Sequence, residues 1–154
     1  MAKEPKKLDE LFHDTLKDIY FAEKKILTTL PKMAKAAQSE ELRAAFEKHE
    51  AETEDQIGRL EEVFAAIDKK PQGKTCAAIV GITDEGAEIM QDYKGSPALD
   101  AGLLAAAQAV EHYEILGLED AVPLLQETLE EEKATDETLS DIAKTAINQE
   151  AEAA

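Results

Sequence analysis

The chain has 154 residues, with 34 acidic side chains against 17 basic ones and a formal net charge of -17. Such a balance opposes binding to nucleic-acid phosphates and to anionic membranes. Proline, glycine and aromatic residues are scarce while Ala, Leu, Glu and Lys dominate, which predicts an all-α chain of long helices.

The length suits one domain over residues 1–154 whose core needs no covalent staple. Cys76 stands alone, so it offers neither a disulfide framework nor a thiolate zinc site, and a reducing compartment fits it best. No apolar run reaches the ~20 residues of a membrane span, and Met1 to Leu8 lacks the apolar stretch of a signal peptide. The expected location is therefore cytoplasmic. Lys3, Lys6 and Lys7 mark residues 1–7 as a flexible basic tail, and residues 148–154 are expected to fray.

Leu8, Leu11, Phe12, Ile19, Ile26, Leu30 and Met33 recur at helical spacing and predict a first helix ending near Gln38. Pro31 removes one backbone donor and predicts a bend in its last turns. Ser39 followed by Glu40 and Glu41 is an N-cap signal for a second helix, whose apolar face runs from Leu42 to Ile67. Lys69, Lys70, Pro71 and Gly73 then stop it. The stretch from Lys70 to Pro97 is longer than a bundle turn, and its apolar period predicts a short helix within a crossover. A third helix follows through Leu99, Leu103, Leu104, Ala107, Val110 and Leu118. A fourth is expected from about Glu119 to Ile147, through Leu125, Leu129, Leu139 and Ala143. Two antiparallel pairs joined by a long crossover predict a ferritin-like four-helix bundle.

Several carboxylates fall on the faces that should point inward. At about 100° per residue, Glu23 projects near the stripe of Ile19, Ile26 and Leu30. His49 and Thr53 sit at the centre of the second helix's stripe, with Glu52 at its margin. Glu114 occupies the centre of the third stripe and Glu111 its edge, whereas His112 points away as a surface residue. On the fourth helix Glu132 and Asp136 face inward, while Glu130, Glu131 and Lys133 lean outward. Acidic groups on four inner faces with a histidine suit hard or borderline divalent metals. Protonation of some of these carboxyls, or Lys and Arg partners, is the competing explanation.

The segments Asp18-Ile-Tyr-Phe-Ala-Glu23-Lys, Leu30-Pro-Lys-Met-Ala-Lys-Ala-Ala37, Val110-Glu-His-Tyr-Glu-Ile115 and Glu127-Thr-Leu-Glu-Glu-Glu-Lys-Ala-Thr-Asp136 carry a resemblance. In this order, and over nearly the whole chain, they resemble the YciE/YciF family of bacterial ferritin-like stress proteins. The resemblance implies a helical bundle, a homodimer and a dinuclear metal centre of iron or manganese. Carried over residue by residue, the ligands are Glu23, Glu52 with His49, Glu114 with Glu111, and Glu132 with Asp136. The usual Glu-x-x-His pairs of such centres are absent, since the second helix carries His-x-x-Glu and the fourth Glu-x-x-x-Asp.

A second departure follows Ile115, where relatives continue the third helix for roughly a dozen residues, about 18 Å. A shortened third helix that reverses near Gly117 would leave Glu114 about 5 Å from the turn and Glu132 about 20 Å from it. The two would then share no metal. Three outcomes follow: a partial or shifted site, third and fourth helices running on as one rod exchanged between protomers, or a missing internal segment. Gly117 and Pro123 oppose the unbroken rod, although proline is tolerated in a first helical turn.

Two functions compete. One is a metal-binding stress protein whose carboxylate centre reacts with oxygen or peroxide. The other is a metal-free structural or interaction protein that has lost the centre with the shortened helix. Tyr20 and Tyr113, one turn from Glu23 and Glu114, are read as packing residues. Nucleophilic catalysis finds no support, because Cys76 has no nearby histidine in sequence and no glycine-rich phosphate loop occurs.

Overall fold

Apolar residues at three- and four-residue spacing form helices throughout the computed structural model, which describes residues 5–119 and 126–147. Helix α1 spans Leu8–Leu27, α2 Leu30–Ala36, α3 Glu40–Ala66, α4 Ala77–Asp92, α5 Leu99–Glu119 and α6 Gln126–Ile142, and a π-helical turn over Ala143–Ile147 ends the last. Among the described residues there is no strand, and no helix is long and apolar enough to cross a membrane.

The bend expected at Pro31 is a break. The hydroxyls of Thr28 and Thr29 donate to the Lys25 carbonyl and so serve a terminal acceptor of α1. Pro31 then falls in the first turn of α2, where its missing N–H would have had no helical partner. Ser39 caps α3 as its position predicts, its side chain accepting from the Leu42 N–H at 3.4 Å.

The first pair is antiparallel. The Tyr20 hydroxyl donates to Glu61 at 2.8 Å, and Arg43 donates to the carbonyls of Ala34 and Ala37. Asp100 on α5 ties this pair to the second half, its carboxylate accepting the N–H groups of Gln38 and Ser39 at 2.8 and 2.7 Å. Asp100→Ala would strand both donors. We expect it to lower stability by about 1.5–3 kcal/mol, the range for hydrogen bonds to a charged group, read from urea denaturation.

Helix α4 lies in the crossover and packs on α1 and α5. A Cβ at Gly102 would stand 2.7 Å from the Ile89 Cγ2, so glycine there permits the close approach of α4 and α5.

Helix α5 continues through Gly117 to Glu119, and α6 starts at Gln126. The chain does not reverse at Gly117, one of the outcomes weighed above, and one glycine costs a helix interior only about 1 kcal/mol. Glu119, expected to open the fourth helix, belongs to α5. Gln108 donates to Ser140 at 2.8 Å, and Glu111 and Glu114 lie against Glu132, so α5 and α6 run antiparallel within one chain. Pro123 and Leu125 lie outside the described residues, as do residues 1–4 of the expected tail and the expected frayed end at 148–154.

Two apolar clusters fill the bundle. One holds Ile26, Leu30, Met33, Phe46, Val110 and Leu139, and the other holds Leu16, Ile19, Leu60, Phe64 and Leu129. On each long helix the residues between these clusters are polar and buried: Glu23, then His49, Thr53 and Gln56, then Glu111 and Glu114, then Glu132.

Candidate metal centre

Each member of this polar layer is inward by helical phase, flanked on its own helix by core residues. Ile19 and Ile26 bracket Glu23, Phe46 and Leu60 bracket His49 and Gln56, and Val110 and Ile115 bracket Glu111 and Glu114. Leu129 and Leu139 do the same for Glu132. Packing of these apolar neighbours forces the polar side chains out of water, and burial of charge demands compensation.

His49, Glu111, Glu114 and Glu132 each place one donor atom so that all lie within 4.8 Å of one another. Metal–ligand bonds of about 2.0–2.4 Å put opposed donors about 4–4.8 Å apart, so the cluster has the span of one coordination sphere. The imidazole stands between two carboxylates, its Nδ1 3.1 Å from Glu111 Oε1 and its Nε2 3.6 Å from Glu132 Oε2. Gln56 donates from Nε2 to Glu132 Oε1 and, at 3.2 Å, to Glu131 Oε2. Arg59 in turn holds Glu131 through Nη2 and donates to the Thr128 hydroxyl. Gln56 and Arg59 are thereby a supporting network that orients Glu132.

Both oxygens of Glu23 and Glu114 and the Oε2 of Glu111 are buried without a hydrogen-bond partner, while Glu111 Oε1 and Glu132 Oε2, also without a well-formed hydrogen bond, lie against the His49 ring. Burial raises the Glu23 pKa well above the carboxylate range, with the charge of Glu132 adding to it. Burial likewise raises Glu111 and Glu114, again helped by Glu132. At Glu132 burial also acts upward, but contacts with His49, Glu111 and Glu114 outweigh it and hold the carboxyl at about 2.

The remaining predicted ligands fall outside this group of four. Glu23 is fully buried on α1 and feels the charge of Glu132. Glu52 is half-buried, with Oε1 2.7 Å from Lys48 Nζ and Oε2 buried without a partner. Asp136 places Oδ2 3.4 Å from the exposed His112 and leaves Oδ1 buried and unpartnered. Glu114 and Glu132, which a reversal near Gly117 would have separated, are together, because α5 extends to Glu119 and α6 starts only at Gln126.

Glu131, expected to lean outward, is half-buried and bonded to Gln56 and Arg59. The sequence reading missed Gln56 and Arg59. Gln56 lies seven residues after His49, two helical turns along the same face, and that phase was the available signal. Tyr20 packs edge-on against Phe64. Tyr113 places its hydroxyl 2.7 Å from the Cys76 sulfur.

Residues 7–152 match the family described as a domain of unknown function, DUF892. Protein YciF of Escherichia coli (strain K12) is 39% identical over 160 residues, covering 96% of this chain and 96% of that protein. The aligned length exceeds the 154 residues of this chain, so the relative carries residues that this chain lacks. The crystal structure of the E. coli stress protein YciF superposes with a TM-score of 0.84, at 39% identity over 94% of this chain and 99% of that one. YcfI of Rhodopseudomonas palustris, described as a candidate structural protein, superposes with a TM-score of 0.82, at 37% identity over 91% of this chain and 97% of that one. This chain therefore belongs to the DUF892 family and is a YciF-like member of it.

Proposed function

We propose that this chain is a ferritin-like stress protein that binds iron or manganese at His49, Glu111, Glu114 and Glu132. Glu23 supplies a further buried carboxylate from the facing helix, and a homodimer is the assembly we expect. The observation that carries this reading is the set of unpartnered carboxylate oxygens gathered in one buried layer. An unsatisfied buried polar group costs about 1–3 kcal/mol, and a charged one more, and a cation held among these carboxylates would offset that cost. Carboxylates and one imidazole form a donor set suited to iron and manganese.

A bound ion would supply redox chemistry toward oxygen or peroxide. The chain's own part is to hold four donors in place and to exclude water from them through the apolar clusters on either side. Gln56 fixes the orientation of Glu132, and His49 is set between Glu111 and Glu132.

A metal-free structural role is the second reading, favoured by the description given to YcfI. In it, protonation of Glu23, Glu111 and Glu114 relieves the repulsion. Elemental analysis of protein purified without chelators separates the two. Iron or manganese near one or more equivalents per chain is the expected result, reduced in Glu23→Ala. No metal, with an unchanged melting temperature after adding iron(II) or manganese(II), would leave the structural reading.

A further inference from the structure

His49, Glu111, Glu114 and Glu132 are all buried, so a cation reaches them only past other residues. Two carboxylates stand at that boundary. Of the described acidic residues that keep a buried oxygen without a hydrogen-bond partner, only Glu52 and Asp136 also reach solvent, their side chains 24% and 21% exposed. Each divides its two oxygens between surface and interior. Glu52 Oε1 lies 2.7 Å from Nζ of the exposed Lys48, and Asp136 Oδ2 lies 3.4 Å from Nε2 of the exposed His112. Glu52 Oε2 and Asp136 Oδ1 are buried and unpartnered.

Helical register sets both residues beside the centre. Glu52 follows His49 by three residues and Asp136 follows Glu132 by four, about one turn or 5.4 Å along each helix. Gln56 bonds Glu132 and Arg59 bonds Thr128, so α3 and α6 run antiparallel here. Glu52, one turn before Gln56, and Asp136, one turn after Glu132, therefore stand at the same level. The charge of Asp136 is felt at Glu111. Beside Glu52 a cavity of about 20 Å³ opens between the two helices, lined also by Ala45, Lys48, Thr135, Thr138 and Leu139. That is room for at least one water. A divalent cation gives up its hydration only where oxygen ligands replace the lost water, because an uncompensated charge meets a large desolvation cost in a buried layer. A carboxylate with one oxygen at the surface and one inside offers that replacement midway.

We propose that Glu52 and Asp136 are the entry residues of the centre, taking a divalent cation from water and passing it inward to Glu111 and Glu132. This rests on the metal-binding reading and gives the two carboxylates a different task from that of permanent ligands. A group that touches the ion only in transit lowers the barrier in both directions, so its loss slows uptake and release alike and leaves affinity in place. Loss of a permanent ligand instead speeds release and weakens affinity.

Rapid mixing of metal-free protein with manganese(II), read by the loss of the free-ion EPR signal, measures uptake. Transfer to an excess of a chelating dye measures release, and isothermal titration measures affinity. We expect Glu52→Gln and Asp136→Asn, which keep the side-chain shapes, to slow both rates at least about tenfold with the dissociation constant within about threefold. Lys48→Gln frees Glu52 Oε1 and removes a positive charge from the mouth, and should speed uptake by about two- to fivefold, because rim charges act on association rates. Lys48 is exposed, so this variant decides the matter even where a carboxylate variant does not fold, and no gain in uptake would count against the route. Unchanged rates in both carboxylate variants, or weaker affinity with unchanged uptake, would overturn the proposal and leave the metal reading standing. Failure of the unmodified protein to bind manganese(II) or iron(II) would defeat both.

Discussion

Metal-free protein is expected to be less stable at about pH 8 than at about pH 5, and saturating manganese(II) to abolish the difference. Glu23, Glu111 and Glu114 have pKa values raised in the fold by burial and by the charge of Glu132. The folded chain therefore holds protons that the unfolded chain gives up at the ordinary carboxylate pKa, so their contribution is complete below that value and is lost as pH rises through the folded pKa values. Glu132 acts in the opposite sense. Held at about 2, it contributes stability that is present above the ordinary carboxylate pKa and is lost progressively as pH falls from that value through the folded one.

A cation alters this balance by favouring the ionised carboxylates. At a thousand times its dissociation constant it adds about 4 kcal/mol. That corresponds to roughly 10 °C in melting temperature for a chain of this size. Urea denaturation at the two pH values, with and without manganese(II), measures both effects. Repulsion among surface carboxylates acts in the same direction, so Glu111→Gln with Glu114→Gln is the control that should flatten the profile. Equal or greater stability of the metal-free protein at the higher pH would contradict the account of the buried layer.

The second large effect is expected at Glu132. Glu132→Ala should weaken manganese(II) affinity by at least about a hundredfold, because even outer partners of metal ligands are worth roughly 10–100-fold. This carboxylate touches every other part of the site: His49 on one side, Gln56 on the other, Glu111 and Glu114 across the gap. Glu52→Ala and Asp136→Ala should cost less, since Glu52 gives one oxygen to Lys48 and Asp136 gives one to His112. Isothermal titration of the three variants ranks them. Equal losses at all three would mean that the coordination sphere extends beyond the four clustered residues.

These expectations rest on features of unequal visibility in the sequence. Helical phase suffices for Glu23, His49, Glu114 and Glu132, because each falls on the inward stripe of its own helix and is buried. The crossover helix was legible for the same reason. At the margin of a stripe, phase discriminates poorly. Glu111, at an edge, is fully buried; Glu52, also at a margin, is half-buried against Lys48; Glu131, assigned outward, is half-buried and bonded to Arg59. Which way a marginal residue faces depends on where the neighbouring helix lies, and one helix's periodicity carries no information about that.

The sequence by itself determined an acidic, all-helical chain with carboxylates and a histidine on inward faces, because composition and helical period are local properties. The tertiary structure decided which of those groups meet. Gly117 reads as a turn in isolation, yet α5 passes through it to Glu119, since flanking helix and packing outweigh one glycine's cost of about 1 kcal/mol. That extension sets the register of α5 against α6, and with it the meeting of Glu114 and Glu132. The support of Glu132 by Gln56 likewise arises only from helices distant in sequence, where contact depends on packing geometry.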